Sequence, residues 1–319
     1  MSDFRSLKGL FIKHVSSDPD NLAEGDIWYN TTPQTLKVAP LIEAWASGNN
    51  MNTARRRLAG AGIQTAALAI SGTADPPLYN QVESYDGSSW TEIADVNTAR
   101  EEHAASGTST AALTFGGKAS PGATAIAESW NNTSWTEVGD LNTARQELTG
   151  DGATNTAAIA VGGTPERAIA ETWNGTAWTE VADLNTGRSS FAGGAGTTTS
   201  ALAIGGYTDA YVGVTESWNG TAWTEVADLS TARGYGGQTA GTSNTSALAI
   251  GGTSPDSAKT ESWNGTSWRE SSDLAAATVN NAAAGTTASA LNMGGRNPSV
   301  TATTEEWTSV ATSRSVDTS

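Results

Sequence analysis

Eleven of the 12 tryptophans in this chain fall on one repeating lattice, and that lattice leaves few folds open. Trp45, Trp90, Trp135, Trp178, Trp223 and Trp268 recur at intervals of 45, 45, 43, 45 and 45 residues. A second aromatic set, Tyr85, Trp130, Trp173, Trp218, Trp263 and Trp307, accompanies them. Between the sets an apolar run ends in a Gly pair, as at Gly116-Gly117, Gly162-Gly163, Gly205-Gly206, Gly251-Gly252 and Gly294-Gly295, with Ser71-Gly72 in the first unit. Only Trp28 lies off the lattice. A period in the mid-forties built of short apolar segments and turn residues predicts an all-β propeller, because a single four-stranded sheet must stack on neighbours to bury its faces. Six units are expected.

Each unit reads as four strands. A small-residue stretch such as Glu101 to Gly107, Leu58 to Gly62, Phe191 to Gly196 or Asn281 to Gly285 suits the crowded axis. The apolar run before the Gly pair, as in Thr156 to Val161 or Ser246 to Ile250, is the second strand. The third and fourth form a hairpin, and Asn174-Gly175, Asn219-Gly220 and Asn264-Gly265 predict type I′ turns. That turn sets Trp173 opposite Thr176 and Glu171 opposite Trp178, with the indoles as diagonal neighbours.

The ends of the repeat are complementary. Trp45 has the spacing of a fourth-strand tryptophan but no preceding unit, and Trp307 is a third-strand aromatic with no fourth strand after it. Residues near Ala44 to Met51 are therefore expected to complete the last blade beside Thr303 to Thr308, closing the ring. The organisation expected is a leader over 1–41, a six-bladed propeller over 42–308 and a polar tail over 309–319 that is free to fray.

A Gly pair, then Tyr or Trp, then Trp, then a basic residue opening the next unit resembles the kelch repeat, and Glu83-Ser84-Tyr85-Asp86-Gly87-Ser88-Ser89-Trp90 keeps the kelch tyrosine. Five units carry Trp in place of that tyrosine, and Thr278 stands where the basic residue is expected. In the leader, Gly25-Asp26-Ile27-Trp28-Tyr29-Asn30, followed by threonines and a lysine, reads as two short strands around a polar turn. It resembles a segment of tailed-bacteriophage virion proteins, particularly tail-fibre-like ones. That resemblance implies a virion location, with Trp28 and Tyr29 among the residues that attach the leader to other virion proteins. Forty residues bury little core alone. The leader is thus expected either to pack on the propeller rim or to dock it on a particle or a symmetry mate, and a homo-oligomer there is left open.

The formal charge is −16, and 17 Lys and Arg against 33 Asp and Glu exclude phosphate-directed binding to nucleic acid. Cysteine is absent, Met1 to His14 lacks a signal-peptide core, and no run is long enough to insert in a membrane. With no cysteine and only His14 and His103, copper chemistry of the galactose-oxidase type and Cys/His zinc sites are excluded, so no metal or cofactor is expected. Ser84 to Trp90 is one residue short of a sialidase Asp box. Glu128, Glu171, Glu216 and Glu261 recur at one position, as do Asp140, Asp183, Asp228 and Asp273. A catalytic centre is singular, so these repeated carboxylates read as scaffold and no catalytic residue is assigned. Arg55, Arg100, Arg145, Arg188 and Arg233 could grip an acidic ligand, but their repetition favours pairing with the repeat carboxylates to pin adjoining blades.

Recognition is expected where the units differ. The loops between second and third strands, 74–81, 118–126, 164–168, 207–212, 253–259 and 296–300, share a face with the blade-to-blade crossings. Tyr79, Tyr207, Asp209, Tyr211, Asp256, Lys259 and Arg296 break the repeat there, with Tyr235 and Arg56 nearby. The chain is expected to be a non-catalytic virion protein displaying its propeller to a host-surface glycan or protein. A decoration or adaptor that binds only other virion proteins, and a glycan-cleaving enzyme, are the alternatives.

Overall fold

The computed structural model describes residues 12–164, 168–236, 240–253 and 256–316. All regular structure among them is β, without a helix. The chain divides into two compact units, one of Trp45–Trp307 and one from Met1–Ala44 with Thr308–Ser319.

The larger unit holds six four-stranded sheets in a propeller-like arrangement. Sheet one is Ala59–Ile63, Ala66–Thr73, Leu78–Tyr85 and Trp90–Ile93; sheet two is Ala104–Thr108, Ala111–Phe115, Ala127–Trp130 and Trp135–Glu137. Sheet three is Thr149–Thr154, Ala157–Val161, Ala170–Trp173 and Trp178–Glu180; sheet four is Gly193–Thr197, Ser200–Tyr207, Tyr211–Trp218 and Trp223–Val226. Sheet five is Ala240–Ser243, Ser246–Ile250, Thr260–Trp263 and Trp268–Glu270. Sheet six takes Ala282–Gly285, Ser289–Met293 and Thr304–Ala311 from one end of the chain and Leu41–Ser47 from the other. Each sheet's first strand lies against the first strand of the next, and Ala282–Gly285 lies against Ala59–Ile63.

Small residues line the axis because neighbouring backbones meet there. A Cβ on Gly60 would sit 2.5 Å from the Ala283 carbonyl oxygen. Second strands are mostly apolar, as in Leu68, Ala69 and Ile70, because adjoining sheets cover both of their faces and bury their middles.

The hairpin turns differ from expectation. Trp173 pairs directly with Trp178 and Glu171 with Glu180, so the loop is four residues long. Asn174 Oδ1 accepts from the amides of Thr176 and Ala177, an Asx turn that keeps Asn174 out of the left-handed region. Only the next residue, Gly175, takes positive φ, at 91°. The same register joins Tyr85 to Trp90, Trp130 to Trp135, Trp218 to Trp223 and Trp263 to Trp268. The rings are therefore cross-strand partners 4.9 to 5.5 Å apart rather than diagonal neighbours. Trp45 and Trp307 meet at 5.4 Å.

The repeat arginines are scaffold. Arg55, Arg145, Arg188 and Arg233 pair with Glu83, Glu171, Glu216 and Glu261 at 2.7 to 3.2 Å, all almost fully buried. Arg100 pairs with Glu128 in the same way. Each link spans two sheets. The Arg145 guanidinium binds Glu171 and the Gly162 and Ile169 carbonyls of sheet three, while its own carbonyl accepts from Gly117 beside sheet two. Burial of these five guanidinium groups removes them as a surface for acidic ligands.

The smaller unit is a separate sheet in the order Lys13–Val15, Ile27–Asn30, Thr35–Val38 and Arg314–Ser315. Its first pair is parallel and the other two are antiparallel. In the tail, whose order the sequence leaves open, Ser315 pairs with Lys37 and Arg314 with Val38, which satisfies an otherwise open strand edge. Residues 1–11 of the leader and 317–319 of the tail lie outside the described residues.

Candidate functional site

At one end of the axis each crossing contributes one residue in the left-handed region. They are Arg57, Glu102, Glu147, Ser190, Tyr235 and Asn280, with φ between 48° and 59°. Their amides form a complete cycle of hydrogen bonds: Arg57 donates to Asn280, Glu102 to Arg57, Glu147 to Glu102, Ser190 to Glu147, Tyr235 to Ser190 and Asn280 to Tyr235, all at 2.8 to 3.0 Å. Non-glycine residues held at positive φ carry a conformational cost, which the closed cycle offsets. The backbone is uniform, yet the six positions carry five residue types, with only Glu appearing twice. This is the reverse of the tryptophan lattice, where side chains repeat.

These residues ring a cavity of about 70 Å³, lined also by Leu58, His103, Leu148 and Phe191. Arg57 Nη1 lies 3.1 Å from Glu101 Oε2 and 3.0 Å from Glu102 Oε1. Burial opposes the Arg57 charge, but Glu102 and Glu101 outweigh it and hold the guanidinium above its usual value. The Glu102 side chain is 6 % exposed, and its Oε2 accepts no hydrogen bond from a described residue. Burial, reinforced by the charges of Glu147 and Glu101, pushes the Glu102 carboxyl up to about 7. Glu147 is the opposite case. Burial disfavours its charge, but Thr164, Tyr235 and Ser190 all donate to it, at 2.5, 2.7 and 3.0 Å, and its pKa falls below the ordinary value.

Of the expected recognition residues only Tyr235 lines this cavity, and together they do not form one cluster. Tyr235 belongs to the ring itself and donates to Glu147. Tyr207 and Tyr211 are half-buried strand partners with their rings edge to face at 5.4 Å. Asp256 and Arg296 approach to 3.9 Å between neighbouring crossings, both part-exposed. Arg56 Nε donates to Asp75 at 2.6 Å. Asp209 is exposed at the tip of its hairpin. Tyr79 sits in a strand and offers its carbonyl to Arg100 and Ser71, so its backbone is part of the scaffold. Lys259 is tied to Thr231 at 3.2 Å and Glu270 at 3.6 Å. The loops 164–168 and 253–259 lie partly outside the described residues, at 165–167 and 254–255.

Sequence reading missed Arg57, Glu102, Glu147, Ser190 and Asn280. Their signal was available: two residues beyond each repeat Arg, or beyond Thr278, the six units carry five different residue types, Glu alone occurring twice.

A second axial cavity, of about 260 Å³, lies along the first strands. Its wall is small residues apart from Ile63 and Asp151, and the Asp151 carboxylate accepts from the Gly152 and Gly196 amides at 2.6 and 2.9 Å. Burial pushes Asp151 up to about 7 despite those bonds.

In the smaller unit Trp28 is 2 % exposed, and its indole donates to Asp18 at 3.0 Å. Asn30 and Ser313 donate to the same carboxylate at 2.7 and 2.6 Å. Trp28, expected among the residues that attach the leader to other virion proteins, is buried in the core of its own unit. Tyr29 lies half-buried against His14 with ring centroids 5.1 Å apart. On the opposite side of that sheet from Trp28, Ile27 is 50 % exposed.

Comparison with known protein families and with characterised proteins finds no match to this sequence.

Proposed function

We propose that Trp45–Trp307 is a six-bladed propeller whose ring is closed by Leu41–Ser47, and that it is a non-catalytic recognition module carried on a tailed-phage particle. The six-membered amide cycle and the contact of Ala282–Gly285 with Ala59–Ile63 support six blades and closure. The observation that carries the recognition reading is the contrast at the axial mouth: repeated charges are buried in pairs, while the singular charges Arg57, Glu102 and Glu147 gather around one cavity. In this reading a host-surface glycan or protein meets the face bearing the crossings, with Tyr207, Tyr211 and Tyr235 beside the mouth. The virion location rests on the resemblance of the leader, and residues 1–41 would engage other virion proteins through surfaces other than Trp28.

Antibody-gold electron microscopy of intact particles tests this reading. Label at tail tips or fibres, together with loss of host adsorption in a Tyr211→Ala, Tyr235→Ala double variant, is the expected result. Label confined to the head with normal adsorption favours the decoration or adaptor reading, and no label on intact particles overturns display.

One observation favours glycan hydrolysis: Glu102 and Glu147 are displaced in opposite directions, as an acid and a base are. Against it, both Glu147 oxygens are already bonded by Ser190, Thr164 and Tyr235, and about 70 Å³ does not admit a sugar ring. Release of reducing sugar from host polysaccharide by the purified chain would establish hydrolysis.

A further inference from the structure

We propose that the cavity inside the Arg57, Glu102, Glu147, Ser190, Tyr235 and Asn280 ring accepts a primary ammonium group, with Glu102 Oε2 as its acceptor. This deepens the recognition reading above and rests on it. Glu102 lines the cavity, and its Oε2 is a buried carboxylate oxygen that accepts from no described residue. An unmatched buried acceptor of this kind is costly unless a ligand supplies the donor.

Charge selects the donor. Glu101, Glu102 and Glu147 face Arg57 and Lys118, three carboxylates against two cations, and Lys118 reaches Glu101 only at 3.4 Å from a 44 % exposed position. An anion is repelled and a cation is drawn in. A guanidinium is a poor fit, because its two-pronged fork wants both carboxylate oxygens and Glu102 Oε1 is already bonded to Arg57. A divalent metal needs several oxygens, and no cluster of three or more His, Asp or Glu able to hold one occurs among the described residues. An ammonium is a compact point charge that needs one strong acceptor and tolerates neutral ones. Asn280 and Ser190 line the same space, each carrying a neutral oxygen that can accept. Leu58, Leu148 and Phe191 supply apolar wall for the carbon that bears the nitrogen. At about 70 Å³ the space exceeds one water and holds an aminomethyl-sized group.

The test is a nuclear magnetic resonance titration of the full chain with propylammonium chloride and with glucosamine. N-acetylglucosamine and potassium chloride serve as controls. Both amines are expected to shift the amides of the six ring residues saturably, and neither control should do so. Glu102→Gln should weaken both amines about tenfold or more, the usual scale of a charge-assisted hydrogen bond, and Glu102→Asp should weaken them less. Glu137→Gln, on an exposed outer strand, should change nothing. If Glu102→Gln does not fold, the wild type and Glu102→Asp decide. Absence of saturable shifts at the ring in the wild type overturns the proposal, as does amine binding that Glu102→Gln or Glu102→Asp leaves unaltered. N-acetylglucosamine binding elsewhere on the crossing face, without amine binding, would overturn the ammonium site while leaving the recognition reading standing.

Discussion

Sheets two, three and four hold to their neighbours differently from sheets five, six and one, although all six share one repeat. The outer-strand indole is the point of divergence. Trp45, Trp90 and Trp268 donate to the hydroxyls of Thr260, Thr304 and Thr215 on the preceding sheet, at 3.0 to 3.2 Å. Trp135, Trp178 and Trp223 occupy the same place but their buried Nε1 atoms find no acceptor among the described residues. The preceding sheets there present Val82, Ala127 and Ala170 instead of threonine. The bonded interfaces include both sides of sheet six, the sheet assembled from two distant stretches of chain. Gln64 adds bonds to the carbonyls of Trp307 and Ala290 across that same junction, at 2.7 and 3.2 Å. Joining chain ends costs loop-closure entropy that the covalently consecutive sheets do not face. Asn155 and Asn244 make the equivalent bond, to the Trp130 and Trp218 carbonyls at 3.1 Å, between consecutive sheets, so the junctions differ in their indole bonds rather than in this one.

The buried ion pairs run the other way, and they give the largest expected effect. Sheet three has Arg145 on Glu171, whereas sheet six has Thr278 and leaves Glu305 with the Ala275 amide as its one hydrogen bond, at 2.9 Å. Burial raises the Glu305 pKa accordingly. Arg145→Ala should lower unfolding free energy by about 3–5 kcal/mol, because Glu171 is left charged and buried. Thr278→Ala should cost less than about 1 kcal/mol, the scale of a single neutral hydrogen bond. Chemical denaturation of the two variants checks this, and equal losses would erase the distinction between sheet six and the five sheets that hold a buried pair.

A second difference is electrostatic. Sheets two and three, with the crossing between them, carry Glu102, Glu147 and Asp151, which have no counterparts in sheets five and six. Asp151 titrates near 3.8 when exposed and at about 7 in the fold, so between those values the folded chain holds a proton that the unfolded chain lacks. Its contribution to stability therefore grows as pH falls through about 7 and is complete below about 4. Glu102, pushed up to about 7, acts in the same direction. His103 opposes them: its folded pKa is driven down to about 3 by burial and the Arg100 charge, so it withdraws stability as pH falls below 6.5. Asp151→Asn should remove about one proton from the linkage slope between pH 5 and 6.5. Denaturation midpoints across that range measure it, and an unchanged slope would mean that Asp151 ionises normally in its cavity.

The division between what could and could not be read from sequence follows the same physics. The tryptophan lattice announced six four-stranded units and the strand that Trp45 supplies to the last, because large buried side chains must recur when every interface repeats. The hairpin register was misread because Asn-Gly normally signals a two-residue turn. Here the Asn174 side chain caps two amides and makes the loop four residues long. The pairing of Arg314–Ser315 with Thr35–Val38 carries no local signature, since the partners are far apart in the chain. The axial ring was hidden beside the conspicuous repeat arginines. Its meaning lies in a column of unlike residues, while the search for variation was directed to the longer loops.

The smallest effect is the sharpest test of the indole difference. Val82 is fully buried against the cluster containing Trp135 and is nearly the shape of threonine. In Val82→Thr a hydroxyl replaces one methyl where Thr215, Thr260 and Thr304 accept from their tryptophans. Thr215 Oγ1 also donates to the Gly213 carbonyl at 3.4 Å, so a hydroxyl at 82 has an equivalent outlet in the Asn80 carbonyl two residues back. The substitution exchanges apolar burial for a satisfied indole and should raise unfolding free energy by up to about 1 kcal/mol. Thr215→Val makes the reverse exchange at Trp268 and should lower it by about 1 kcal/mol or slightly more, because it leaves a buried N–H unbonded. A gain in Val82→Thr together with a loss in Thr215→Val would show that the hydroxyls strengthen their interfaces. The reverse pair of signs would mean that methyl packing outweighs the hydrogen bond, and that the threonines are not what strengthens the junctions of sheet six.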